Sequence, residues 1–258
     1  EMSASLVGSE MCIRDSSNSR AVNQFPHEWR MATYSFNYLP MLNESGKIDT
    51  QKAKLPAHLD MVEKIKEADE PIALVMTGPL TDLARALDVD PDIEKNIEKL
   101  YWMGGSLDGH GNVAMVNADG SQEWNSFWDP YAVKRVFESN IPIQMVGLES
   151  TEELPLNDEL RQHWASLRKY PAMDLIGQGY SLIVSIPSAE LYLWDVLTTI
   201  SALYPEVVET ETAKARVITD GLSAGSFVRD PKGREVTLVT KANKDLFFQK
   251  MDEILERK

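Results

Sequence analysis

The sequence predicts an α/β fold, with a mostly parallel central sheet flanked by helices. Three features carry that expectation: short apolar runs at Ile72–Met76, Leu100–Met103 and Ile141–Val146, amphipathic stretches between them, and turn residues after each run. Strands that alternate with helices are joined by crossovers, which leave neighbouring strands parallel. The 258 residues are 43% hydrophobic, enough for a sizeable core and plausible as one domain. A formal charge of −14 disfavours nucleic-acid and anionic-membrane partners, because an acidic surface repels phosphate. No run reaches the roughly 18 apolar residues of a spanning helix. The single cysteine, Cys12, excludes an internal disulfide and makes a reducing, cytoplasmic compartment the expectation.

Taken in order, residues 1–16 carry no basic start and no sustained apolar core, so they do not read as a signal peptide. They resemble a translated sequencing-adapter fragment and are expected to be a foreign or disordered leader, with the domain occupying 17–258. Residues 17–50 mix aromatics with proline, asparagine and glycine and show no clean period, as an ordered excursion would. A helix is expected over about Gln51–Ala68. Ile72–Met76 reads as a strand buried on both faces. Thr77-Gly78-Pro79 turns the chain, with Pro79 suited to a first helical position. Leu80, Leu83, Ala84 and Leu87 then form the stripe of a helix lying on the sheet.

Turn residues Asp88–Pro91 precede a short helix through Ile93 and Ile97, and Leu100–Met103 is the second strand, ended by Gly104-Gly105. After a glycine-rich loop, Asp129-Pro130 opens a helix with Asp129 as N-cap. Ile141–Val146 is the third strand. The chain is then mostly helical to about Tyr204, including Met173–Ile186 and, after Pro187-Ser188, a segment through Leu191–Thr198. Val207–Thr210, Ala215–Ile218 and Val236–Thr240 read as strands of a ribbon at one edge, and Ala242–Leu255 as a closing helix.

Ligands of open α/β sheets gather at the carboxyl ends of the strands. Thr77, Asn112, Glu123, Asn125 and Asp195 lie at or after such ends. Asp195 stands out, because Leu191–Trp194 and Val196-Leu197 surround it with residues that favour burial, and a buried carboxylate needs a partner or a metal. Glu123 and Asn112 also fit ordinary solvated loop positions. Gly221–Gly225 matches GxSxG around Ser223, but Asp230-Pro231 follows where a nucleophile elbow needs a helix. The histidines, His27, His58, His110 and His163, all precede the serine, so a serine hydrolase is disfavoured. His110 reads as a solvated loop residue.

Thr77–Ala84 (TGPLTDLA), Met103-Gly104-Gly105, Gly111-Asn112, Glu123-Trp124-Asn125, Asp129-Pro130 and Trp194-Asp195 together resemble the nucleoside hydrolases, in that family's order, from about Asn18 to Lys258. Asp82 stands where the family usually has asparagine. The resemblance implies hydrolysis of a ribonucleoside, the small-molecule partner, to ribose and free base, and a bound Ca²⁺ held in part by the Thr77 carbonyl and the Asp195 carboxylate. It implies that Asn112, Glu123 and Asn125 bind sugar hydroxyls. Trp194 stands where non-specific and pyrimidine-preferring members carry histidine, so the purine-preferring branch is the closer likeness, with Trp194, Trp124 and Trp29 around the base. Core packing is an equal account of Trp124 and Trp29. The family's DxDxxxDD strand has no counterpart here, which implies a partial domain without its first strand and without its catalytic aspartate base. Such a chain is expected to bind Ca²⁺ weakly and to hydrolyse poorly. A non-catalytic riboside-binding protein on the same scaffold is the alternative, and a homo-oligomer is compatible with either.

Overall fold

The computed structural model describes residues 14–26, 29, 38–40, 52–183 and 191–256. Cys12, residues 27–28, 30–37 and 41–50 of the expected excursion (His27 among them), residues 184–186 of the helix expected over Met173–Ile186, and Pro187-Ser188 lie outside the described residues. The first two strands, β1 (Arg14–Ser16) and β2 (Lys52–Pro56), form a separate parallel pair. Helix α1 (Ala57–Glu67) follows at once. The helix expected from Gln51 therefore starts later, because Pro56 lacks the N–H a helix interior needs and sits at the N-cap. Just beyond β1, the hydroxyls of Ser17 and Ser19 both donate to Asp82 Oδ1.

Next come β3 (Ile72–Met76), α2 (Thr81–Val89), a 3₁₀ turn at Pro91–Asn96, and β4 (Ile97–Met103). Strand β4 begins before Leu100 because Ile97 already has a ladder partner in Ile72. Two short helices, α3 (Trp124–Trp128) and α4 (Pro130–Phe137), lead to β5 (Ile143–Val146). Asp129 caps α4 as expected, its carboxylate accepting from Ala132 N–H at 3.0 Å. The same carboxylate accepts from Thr81 Oγ1 at 2.7 Å, which ties α4 to α2. The chain continues through α5 (Leu148–Thr151), α6 (Asp158–Ser166), α7 (Pro171–Ile183) and α8 (Trp194–Leu203). It closes with β6 (Val208–Val217), β7 (Phe227–Arg229), β8 (Arg234–Ala242) and α9 (Lys244–Leu255).

The main sheet has the order β3-β4-β5-β8-β6-β7. Strands β3, β4, β5 and β8 are parallel neighbours, while β6 runs antiparallel to both β8 and β7. The expected edge ribbon is thus partly interior, with β8 seated between β5 and β6. The two expected strands Val207–Thr210 and Ala215–Ile218 are one strand, whose exposed polar stretch Glu209–Thr212 hides its continuity in the sequence.

The sheet separates two apolar clusters. On one face Leu83, Leu87, Trp102, Val133, Met145 and Leu238 pack together. On the other lie Val146, Trp164, Leu197, Val239 and Phe247. The adjacent pairs Met145/Val146 and Leu238/Val239 go to opposite clusters, as the period of a strand requires. Strand β3 departs from the expectation of burial on both faces. Ile72, Leu74 and Met76 pack against the first cluster, but Ala73 is exposed and Val75 is 41% exposed. The physical reason is position, since β3 forms an edge of the described sheet.

Candidate functional site

The carboxyl ends of β3 and β4 open into one cavity of about 220 Å³. Its walls are Trp29, Thr77, Met103, Asn112, Glu123, Trp124, Asn125, Trp128, Trp194 and Asp195. All eight residues singled out in the sequence therefore meet around a single hollow. Met103 and Trp128 join them without having been singled out. Trp128 was legible in principle, because Trp124 and Trp128 stand four apart and share one face of a helix.

Glu123 is buried, not solvated, and it organises the wall. It is the N-cap of α3, with Oε1 accepting from Asn125 N–H at 2.9 Å and Oε2 from Ser126 N–H at 3.2 Å. Oε2 also accepts from Gly105 N–H, in the turn after β4, at 2.8 Å. Burial nevertheless outweighs these three bonds and pushes the carboxyl up to about 7, with a smaller contribution from the charge of Asp195. A carboxylate has about four acceptor sites, so Oε1 keeps one for a ligand hydroxyl. Asn125 Nδ2 donates to the Met103 carbonyl at 3.0 Å, which leaves its Oδ1 to accept. Asn112 Oδ1 accepts from Trp124 N–H at 3.2 Å, which leaves its NH₂ to donate. The wall thus presents acceptor, acceptor and donor, a set suited to vicinal hydroxyls.

The aromatic side is continuous. Trp29 meets Trp124 edge-on at 4.7 Å, Trp124 meets Trp128 at 5.6 Å, and Phe25 stacks on Trp128 at 5.2 Å. Trp194 packs on Tyr192 at 5.6 Å. The indole N–H groups of Trp128 and Trp194 are buried without an acceptor among the described residues. Packing among themselves and lining the cavity are both true of Trp29 and Trp124.

Thr77 and Asp195 form a second lip of the same cavity. The turn after β3 is held by Trp102 Nε1 donating to the Gly78 carbonyl at 3.0 Å. Asp195, in the first turn of α8, is open to solvent over part of its surface, contrary to the expected burial. Its neighbours Leu193 and Leu197 turn inward and leave the carboxylate facing the cavity and an adjoining, mostly apolar one of about 400 Å³. Protein packed around it still lifts its carboxyl to about 6 by desolvation. No described residue hydrogen-bonds that carboxylate.

The remaining motifs are ordinary. Ser223 donates to Asp119 from a surface turn and has no histidine partner among the described residues. His110 is exposed and pairs with Glu152 at 2.8 Å.

The α/β sheet is mostly parallel, and the hollow at the carboxyl ends of its strands is lined by amides, carboxylates and indoles. That is the architecture of the open-sheet class, in which ligands collect at such ends. Residues 22–249 match the family model described as inosine-uridine preferring nucleoside hydrolase. A solved inosine-uridine preferring nucleoside hydrolase from Bacillus anthracis is 44% identical with a TM-score of 0.88, over 93% of this chain and 78% of that one. The chain belongs to the inosine-uridine preferring nucleoside hydrolase family. The non-specific ribonucleoside hydrolase RihC of Salmonella paratyphi A is 33% identical, over 72% of this chain and 60% of its own length. The pyrimidine-specific ribonucleoside hydrolase RihA of Shewanella woodyi is 41% identical, over 38% of this chain and 30% of its own. The chain therefore spans less than two thirds of either curated relative. No described helix is long and apolar enough to cross a membrane.

The residues present do not fit a Ca²⁺ site by themselves. The Thr77 carbonyl and the Asp195 carboxylate supply two ligands, against the six to eight oxygens the ion takes. No group of three or more histidine, cysteine, aspartate or glutamate side chains among the described residues could hold a metal.

Proposed function

We propose that the cavity binds ribonucleosides, purine ribonucleosides foremost, and that the reaction of the site is hydrolysis of the N-glycosidic bond to ribose and free base. The observation that carries this reading is the meeting of Asn112, Glu123 and Asn125 with Trp29, Trp124 and Trp194 around one hollow. The amide and carboxylate groups hold the sugar hydroxyls, and contacts that tighten as the ring flattens toward an oxocarbenium-like state favour cleavage. The indoles take the base, a wide flat surface suiting a purine, and Trp194 occupies the place where other branches use histidine.

Hydrolysis by this chain is slow in this account. Attack by water needs a metal or a base matched to the task. Glu123 is engaged on both oxygens, and Asp195 is the carboxylate of the cavity left without a partner. Ca²⁺, expected for the family, binds weakly because its ligand set is incomplete, and no step is assigned to it. The same incompleteness favours a second reading, in which the protein holds ribosides without turning them over. An acidic chain with one cysteine fits work in the cytoplasm.

Calorimetric titration with inosine and uridine, followed by a reducing-sugar assay, tests the proposal. Binding with slow ribose release is expected, and binding with no release over hours selects the second reading. Failure to bind any ribonucleoside contradicts both.

A further inference from the structure

Glu149, at the start of α5, belongs to none of the motifs discussed so far. Its side chain folds back from the end of β5 onto the loop after β4. There Oε1 accepts from Ser106 Oγ at 3.0 Å, from Asp108 N–H at 3.1 Å, and from Leu107 N–H. Three donors on one oxygen make a clasp, because a carboxylate oxygen gathering successive N–H groups fixes the loop that carries them. Oε2 is buried and has no partner among the described residues, so the hydrogen bonds this carboxylate makes with them all go to residues 106–108.

The clasped loop begins at Gly105, whose N–H is the donor to Glu123 Oε2. Gly105 has φ +76°, and a Cβ there would stand 2.4 Å from Met145 Cε and 2.7 Å from the Phe227 ring. The loop is pinned from the other side as well, since Leu148 N–H donates to the Gly105 carbonyl at 3.2 Å. A Cβ on Gly147 would lie 2.3 Å from Glu149 Oε2 and 2.8 Å from that same carbonyl. Gly147 thus gives the Glu149 side chain room to reach its loop, and Gly105 lets that loop pass close over Met145 and Phe227.

We propose that Glu149 is a positioning residue for Glu123: by clasping residues 106–108 it holds the Gly105 N–H on Glu123 and so sets the carboxylate that faces the sugar. This rests on the reading of Glu123 as a sugar-binding group and names a residue that acts through it. The charged groups around the clasp are Asp108 and Arg229, which approach to 3.7 Å, and Asp195, which lines the same cavity as Glu123.

The test follows Glu123 itself, without substrate. With glutamate carboxyl carbons labelled for NMR and the Glu123 signal assigned by its loss in Glu123→Gln, the wild-type midpoint is expected at about 7. Glu149→Ala frees the loop and withdraws the Gly105 donor, so the Glu123 midpoint moves up by about half a unit or more. Glu149→Gln keeps a carbonyl oxygen for the loop donors and stays nearer the wild type. An unchanged Glu123 midpoint in folded Glu149→Ala overturns the proposal. So does a downward shift, which signals water entering a seal that Glu149 merely closed. Should Glu149→Ala not fold, Glu149→Asp, one methylene shorter, replaces it, with the same upward shift expected and the same two results against. Because no nucleoside is present, a wild type that fails to bind inosine counts against the proposed function and leaves this result standing.

Discussion

The two lips of the cavity are built in opposite ways. The Glu123–Asn125–Asn112 wall is buried or half-buried, and each side chain is anchored by a backbone group while keeping one polar atom free. The Thr77–Asp195 lip is exposed, follows an edge strand of the described sheet, and carries a carboxylate with no hydrogen-bonding partner among the described residues. Preorganised groups bind because their orientation costs nothing further at the moment of binding. Unanchored groups bind only when something else completes them. On the proposed reading, the first lip is a preorganised sugar subsite and the second a partial one.

Substitution should separate the lips most strongly in stability. Glu123→Ala removes the α3 cap and leaves buried N–H groups of Gly105, Asn125 and Ser126 without an acceptor, which costs about 3 kcal/mol or more in urea unfolding. Asp195→Ala loses no hydrogen bond to a described residue and should cost no more than about 0.5 kcal/mol, with any change at neutral pH toward greater stability. Equal losses at both positions would erase the distinction.

Titration sharpens it. The folded protein keeps the Glu123 proton to about pH 7, whereas an unperturbed glutamate gives it up near 4.5. In that window the folded state binds more protons than the unfolded one, so stability falls as pH rises through it. Asp195 adds a fall between its ordinary 3.8 and about 6. Unfolding free energies measured from pH 4 to 8 should decline, and Glu123→Gln should remove the upper part of the decline.

The indole wall gives a smaller effect. Trp124→Ala should weaken nucleoside binding about 2- to 10-fold, the scale of one aromatic contact, and leave binding of free ribose unchanged. Smallest of all is the response to Ca²⁺. Millimolar Ca²⁺ should raise the melting temperature by less than about 1 °C, because an ion held by two protein groups adds little stability. A rise of several degrees, abolished by Asp195→Asn, would show the second lip to be complete.

Much of this was legible in the sequence. The apolar run, turn and stripe from Ile72 to Leu87 fixed β3 and α2, and Asp129-Pro130 marked a helix start that the Asp129 cap realises. Local patterns could not report context. Strand β2 was absorbed into a helix because Lys52–Pro56 is too short for its period to declare itself, and the polar exposed stretch of β6 divided one strand into two. Asp195 lines the cavity, but its apolar neighbours suggested a burial that their inward turn denies, and the surface position that was the other reading is the one it takes. Glu149 was invisible for a different reason: its importance lies in reaching across to a loop 42 residues away, which no local spacing records.

The central claim is that Asn112, Glu123 and Asn125 grip a sugar through its hydroxyls. The most direct measurement compares calorimetric affinity for inosine with that for 2′,3′-dideoxyinosine, on the wild type and on Asn125→Ala. The account predicts that removing both hydroxyls weakens wild-type binding at least about tenfold and that Asn125→Ala narrows the gap. Equal affinity of the wild type for the two nucleosides would contradict it.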